Sequence, residues 1–428
     1  MSEDKFDVII VGAGLAGCTS AYLLAQAGLE TLVIERGNFA GAKNMTGGRL
    51  YGHSLEKIFP NFADEAPVER CIVHEKVSFM DESGSATMDY ASPKSENPAD
   101  RSYSVLRSKF DQWLADKAES AGANIVPGIR VDDLIVRDGK VCGVVAAGEE
   151  MEADMVILAD GVNSILGEKL GMVDKVTPHH CAVGVKEVIQ LSKQQVNDRF
   201  GCADDEGAAW LFAGSPSDGQ MGGGFIYTNE DTLSLGLVFG LHNIEKAGKT
   251  IPQMLEDFKN HPTVKPLVEG GKQIEYSAHV VPEGGYAMIP KMVGDGVLIA
   301  GDAAGLCLNV GYTVRGMDLA IASGEAAAKA VIAAKEKGDF SENGLSSYTA
   351  ALEGSFIMED MKLYQNLPDF LDNTRMYNEY PALVTGVMKD LFTINGPCMP
   401  LRKMVLPHLK KVGFMNLLKD GFKGVKSI

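Results

Sequence analysis

The chain opens with an apolar, β-branched run of strand length, FDVIIV at Phe6 to Val11, followed by the glycine-punctuated turn Gly12 to Gly17. Cys18 to Ala27 has helical character and Leu29 to Glu35 returns to strand character, so the pattern predicts a β-α-β unit. Leu106, Phe110, Trp113, Leu114 and Ala118 then recur at helical spacing within Val105 to Gly122, with the glycine as terminator. Asn124 to Val126, Val131 to Arg137 and Val141 to Ala146 read as strands, with Asp138-Gly139 as a hairpin signal, and Met155 to Ala159 reads as a buried strand.

Between Ala182 and Ala278 the segments VGVKEVIQL, AAWLFAG, GGGFIYTN and TLSLGLVFGL are divided by Gly, Asp and Asn, which predicts a mainly antiparallel sheet. Gly296 to Gly301 is again a buried strand, Gly316 to Lys335 is an Ala-rich helix, and the chain from Phe340 onward is helical and irregular. The expected fold class is α/β: a Rossmann-like domain assembled from 1–75, 100–180 and 278–335, an inserted antiparallel substrate domain from 76–99 and 181–277, and a helical C-terminal region at 336–428.

Composition narrows this further. At 428 residues, 45% hydrophobic and 23% charged, the chain has the make-up of a globular enzyme rather than a disordered or fibrous protein. Its 40 basic against 57 acidic residues give a net charge of −17, which excludes a chain-wide nucleic-acid surface. The cysteines at 18, 71, 142, 181, 202, 307 and 398 are scattered, as in cytosolic proteins, and supply neither a zinc ribbon nor an iron-sulfur motif, so no metal is expected. The adjacent pair His179-His180 reads as a loop. Leu15 to Cys18 superficially mimics a lipoprotein cleavage site, but the preceding residues are acidic where a secretory segment is basic. Gly296 to Val314 is nearly uncharged, yet Asp302 among glycines suits a strand and loop better than a membrane span.

Three motifs carry the chemistry. Gly12-x-Gly14-x-x-Gly17, between a strand and a helix, can hold a pyrophosphate on backbone amides, and Glu35 at the end of the next strand can accept hydrogen bonds from a ribose. Gly294 to Gly305, GDGVLIAGDAAG, ends a strand in Gly301-Asp302, where the carboxylate can bind ribityl hydroxyls while the helix starting near Gly311 to Gly316 points its positive end at a flavin. Asp160-Gly161 closes a further buried strand. The ordered set implies FAD.

These motifs, with S277AHVVPEGGYAMIP290, G41AKNMTGGRLY51 and K411VGFMNLLKDGFKG424, resemble the electron-transfer flavoprotein:quinone oxidoreductases in their FixC-type form, along essentially the whole chain. The resemblance implies a glutathione-reductase-like flavoprotein that takes electrons from a two-subunit electron-transfer flavoprotein toward quinone. Larger relatives carry an iron-sulfur cluster in a ferredoxin-like extension. Only Cys398 follows Cys307 here, so a separate ferredoxin-like protein is expected. Carried over, Gly12, Ala13, Gly14, Leu15, Ala16, Gly17, Glu35 and Arg36 would hold the ADP half, Arg107 the pyrophosphate region and the Val131 backbone the adenine. Asn44, Gly47, Gly48 and Arg49 would lie beside the flavin, joined by Asp160, Gly161, Gly301, Asp302 and Gly311. Arg49 and Arg107 could equally form ordinary ion pairs, and Tyr286 and Arg315 are weaker candidates for the quinone or flavin edge. No acid–base catalytic residue is assigned.

The segment from Pro397 to Ile428 carries a charge of +6 and repeats apolar residues at three- and four-residue spacing, although Pro407 and Gly413 are expected to interrupt any single helix. It suits a membrane surface or an acidic partner, or else docks on its own domain with Lys and Arg outward. The expected location is cytoplasmic, peripheral on the inner membrane face. Two other readings compete: an FAD reductase or monooxygenase of a lipid-like or aromatic molecule, and the flavin subunit of an electron-bifurcating complex.

Overall fold

The computed structural model describes residues 5–43 and 48–427. Val8, Ile9 and Ile10 of the strand Phe6–Val11 are wholly buried, which fits a central strand of a parallel sheet covered on both faces. Thr31–Glu35 pairs with it on one side and Glu149–Leu158 on the other, both parallel, with Asn124–Pro127 and Val297–Ile299 parallel beyond them and Val293–Gly294 antiparallel at the edge. The hairpin Val131–Arg137 and Lys140–Ala146 turns at Asp138 and Gly139, whose φ values of 52° and 81° are those of the tight hairpin turn expected from Asp-Gly.

The helix Leu15–Gln26 begins inside the glycine turn rather than at Cys18, and packs on Arg107–Ser120 and Met317–Lys337. A Cβ on Gly324 would stand 2.5 Å from the Ala16 carbonyl oxygen, so glycine there sets how closely the long helix approaches the first.

Among the described residues the second sheet has nine strands. Lys272–Pro282, Cys181–Gln190, Thr232–Gly240, Gly222–Thr228 and Glu206–Gly214 pair antiparallel in that order, and Glu206–Gly214 then pairs parallel with Val68–Met80. Ser85–Ala91, Ser102–Val105 and Arg49–Tyr51 complete it, all antiparallel. The sheet thus draws strands from 49–51, 68–80 and 102–105, crossing the boundaries at 75/76 and 99/100 that the strand pattern alone suggests. Its own core lies under Ile251–Asn260, where Phe258 packs on Gly224 so closely that a Cβ would meet the ring at 2.6 Å.

The C-terminal region is helical, ending in Glu379–Phe392, Leu401–Val412 and Phe414–Ser427. Pro407 lies inside Leu401–Val412 without ending it, contrary to expectation; only Gly413, at φ 89°, separates the last two helices. The last helix is inverted relative to an ordinary surface helix. Asp420, Gly424 and Ser427 face inward, while Met415, Leu418, Phe422 and Val425 are 66–77% exposed and all seven basic residues of the segment are exposed too. The segment does dock on its own chain with Lys and Arg outward, but much of its apolar surface stays outward as well. Among the described residues no helix is long and apolar enough to cross a membrane.

Candidate functional site

The C-terminal ends of Phe6–Val11, Thr31–Glu35 and Glu149–Leu158 open on one cavity of about 830 Å³. Gly12 takes φ 104°, and a Cβ there would stand 2.4 Å from the Ala159 carbonyl oxygen, so the turn needs glycine. Gly12, Gly14, Leu15 and Ala16 line the cavity at the N-terminus of the first helix. Ala13 and Gly17 stand behind them: Ala13 donates its N–H to Glu35 Oε2 at 2.9 Å, and a Cβ on Gly17 would stand 2.0 Å from the Gly12 carbonyl oxygen. The other Glu35 oxygen accepts from Gly37 N–H at 2.6 Å, so this carboxylate is held rigid at the cavity wall beside Arg36.

Gly301 and Asp302 form a short turn after Val297–Ile299, and with Gly311 they also line the cavity, as does the N-terminus of Met317–Lys337 at Gly316 and Met317. Two helix N-termini therefore converge on the same space, a natural seat for anionic groups. Asp302 is half-buried at the cavity wall; burial raises its pKa, against the pull of Arg107. Asp160, beside Gly161, is pushed up to about 6 by burial, and its Oδ1 has no hydrogen-bond partner among the described residues. Carboxyl groups of this kind are suited to accepting from the hydroxyls of a polyol. Val131 lines the adjoining wall.

Arg107 reaches the cavity but is clamped bidentate to Asp111 at 2.6 and 2.8 Å, four residues on along its helix. Arg49 also combines both expectations, lining the cavity while bonding to Glu75 and Ser102 and lying 4.4 Å from the Tyr51 ring centroid. Gly48 abuts Tyr227 so tightly that a Cβ would stand 2.4 Å from the ring. Asn44 and Gly47 lie outside the described residues. Arg315 lines the cavity, held by Asp318 and Asp360, whereas Tyr286 packs against the core instead.

The cavity is also lined by residues that sequence reasoning did not single out. Phe79, Phe212, Phe225, Val238, Leu367 and Phe370 give it an apolar wall. Glu283 and Asn309 are polar members of the same lining: Asn309 Nδ2 donates to Glu283 Oε2 at 3.1 Å, and burial pushes the Glu283 carboxyl up to about 7. The Gly222-Gly223-Gly224 run was the available signal, since three adjacent glycines in a strand mark a close approach.

The glycine turn, the two helix N-termini and the half-buried carboxyl groups fit FAD, and comparison with known proteins agrees. An FAD binding domain model matches residues 5–202, an "ETF-QO, ubiquinone-binding" model matches 181–281, and the ETF-QO/FixC family C-terminal domain matches 367–428. The protein is an FAD-dependent oxidoreductase with an α/β FAD-binding fold. Protein FixC of Escherichia coli (strain K12) is 63% identical over 426 residues, covering 99% of both chains. The probable electron transfer flavoprotein-quinone oxidoreductase YdiS of the same strain is 57% identical, covering 100% of both. The chain belongs to the electron-transfer flavoprotein-quinone oxidoreductase family, in its FixC type. Its fold is shared with a geranylgeranyl bacteriochlorophyll reductase-like protein from Thermoplasma acidophilum, at TM-score 0.72 and 22% identity over 97% of this chain and 98% of that one.

Proposed function

We propose that this protein passes electrons from a two-subunit electron-transfer flavoprotein toward the quinone pool, with a separate ferredoxin-like protein as a further partner. The observation that carries the reading is one continuous cavity whose lining joins the glycine-turn cradle to a set of aromatic and aliphatic side chains. An apolar wall suits a quinone head group better than a second nicotinamide nucleotide, whose phosphates would need cationic or amide contacts there. The printed names of the relatives and of the 181–281 match support the same assignment. Parallel and antiparallel sheets facing one cavity are in keeping with a glutathione-reductase-like arrangement, and the domain division expected from the sequence is retained only as an approximate one.

Bound FAD supplies the centre that accepts and releases electrons. Around it, the amides of Gly14 to Ala16 would hold the pyrophosphate, with Gly12 and Ala13 shaping the turn behind them, Glu35 the ribose, and Asp302 and Asp160 the polyol hydroxyls. Arg36, Val131, Gly48 and Arg49 would complete the cradle. Glu283 would hold a proton beside the apolar wall, where an acceptor that gains protons with its electrons needs one. The exposed apolar and basic surface of the last two helices supports a peripheral position on the inner membrane face, where quinone resides.

Anaerobic titration of the FAD-loaded protein separates the readings. Reduction by electron-transfer flavoprotein and not by NADH or NADPH is expected. Reduction by a nicotinamide nucleotide coupled to turnover of an organic substrate would replace this reading with a reductase or monooxygenase.

A further inference from the structure

We propose that His179, His242 and Asp372 form a binding site for a divalent cation of the imidazole-preferring, zinc-like class. The three come from segments far apart in sequence: the turn Pro178–His180 before one strand, the turn Leu241–Lys246 after its neighbour, and the residue that caps Leu367–Leu371. One ligand atom from each lies within 4.8 Å of the others. Two imidazoles and a carboxylate, with solvent completing the shell, suit zinc, copper or nickel rather than magnesium, which demands oxygen ligands.

The local hydrogen bonding points the same way. The His242 side chain is only 9% exposed, and its Nε2 lies 2.5 Å from Asp372 Oδ1 and 2.9 Å from Asn243 Nδ2. Lys246 Nζ, 3.0 Å from Asn243 Oδ1, fixes that amide with its N–H groups toward the imidazole. A protonated Nε2 satisfies Asp372 but opposes the Asn243 amide, and a bare Nε2 accepts from Asn243 but opposes the carboxylate. With Nε2 protonated, the Asn243 amide is left only a long contact of 3.5 Å to the same Asp372 Oδ1. The Nδ1 of the same ring is buried without a partner among the described residues. A cation sharing His242 and Asp372 removes the conflict.

His179 stacks on His242 with ring centroids 4.5 Å apart and planes 16° from parallel, so the exposed His179 ring must turn for the in-plane lone pairs of both imidazoles to meet one cation. His179 and Asp372 are both exposed, so rotation of their side chains can bring the ligand atoms to the separations that metal bonds of about 2.0–2.2 Å require.

The consequence lies in the cavity wall. Asp372 directly follows the segment carrying Leu367, Phe370 and Leu371, while the carbonyl next to His179, that of His180, accepts from Glu283 N–H at 2.8 Å. A bound cation would fasten the helical wall of the chamber to the sheet that carries its buried carboxyl.

The test is equilibrium dialysis of full-length, FAD-loaded protein against Zn²⁺ and, separately, Mg²⁺, in a Cys398→Ser background that removes the exposed thiol. One saturable equivalent of Zn²⁺ is expected, weakened at least about tenfold in both His179→Gln and Asp372→Asn, and a Zn²⁺-dependent rise in Tm that both variants lose. Retained FAD reports folding, and His179→Ala or Asp372→Ser stands in for any variant that loses it. Absence of saturable Zn²⁺ binding, a smaller loss in either variant, or equal affinity for Mg²⁺ would overturn the site.

Discussion

Arg375 grips Asp420 through Nε and Nη2, each 2.6 Å from a different carboxylate oxygen, and Tyr380 adds its hydroxyl at 2.7 Å. This pair fixes the direction of the last helix. By drawing Asp420 inward it leaves Met415, Leu418, Phe422 and Val425 on the outside, the reverse of what their hydrophobicity would choose in an isolated domain.

Asp420→Asn should therefore loosen Phe414–Ser427, at a cost of about 1.5–3 kcal/mol for the charged hydrogen bonds lost, read as faster proteolysis of the C-terminal segment and a lower Tm. The hydrogen bonds from Arg375 hold the Asp420 carboxyl well below the usual carboxylate range. Its contribution is present above the ordinary aspartate pKa and is lost only as the pH falls through the lower folded value. The stability difference between parent and variant should be full above the ordinary aspartate pKa and should shrink as the pH falls below it, since the amide has no charge to lose.

The exposed face predicts membrane binding. The parent should sediment with anionic vesicles more than with neutral ones, since each basic residue near such a surface contributes on the order of 1 kcal/mol, and added salt should weaken the binding. A Leu418→Ser, Phe422→Ser double variant, altering two side chains each 66% exposed, should keep its fold and lose most of that binding. Equal sedimentation of parent and variant would reject the surface.

Asp302→Ala should release FAD more readily without destroying the fold. Each lost hydrogen bond to a hydroxyl is worth about 0.5–1.5 kcal/mol, so retention should weaken by roughly twofold to tenfold per bond. Dialysis followed by flavin quantification measures it, and unchanged retention would remove Asp302 from the cradle.

Glu283 gives a pH signature. Burial raises its carboxyl to about 7, so the protonated form contributes stability that is complete below the ordinary glutamate pKa and is lost as pH rises through 7. The parent should lose up to about 3 kcal/mol between about pH 5 and about pH 8 from this group. Glu283→Gln should not show that loss, and it should flatten the pH profile of quinone reduction near neutrality. Parallel pH curves for parent and variant would contradict both statements.

The β-α-β unit was legible because Val8 to Val11 is a short β-branched run, Gly12 to Gly17 a turn with a mechanism, and Glu35 a lone acid at a strand end. Asp138-Gly139 was legible for the same local reason. The parallel pairing of Val68–Met80 with Glu206–Gly214 was not, because registers between distant strands leave no periodicity in either segment. Nor was the chamber: Phe79, Phe212, Glu283 and Phe370 meet only through tertiary packing, and each alone looks like an ordinary core or loop residue. The helix through Pro407 shows a third reason. Proline removes one N–H donor, and the rest of Leu401–Val412 still sustains the turn.

The most direct measurement of the central claim is anaerobic stopped-flow absorbance of the FAD-loaded protein, mixed first with reduced electron-transfer flavoprotein and then with a soluble quinone analogue. The account predicts bleaching of the flavin in the first mixing and its recovery in the second, with reduced quinone formed in proportion to the electrons delivered. A flavin that electron-transfer flavoprotein leaves oxidised, or that stays reduced in the presence of quinone, would contradict it.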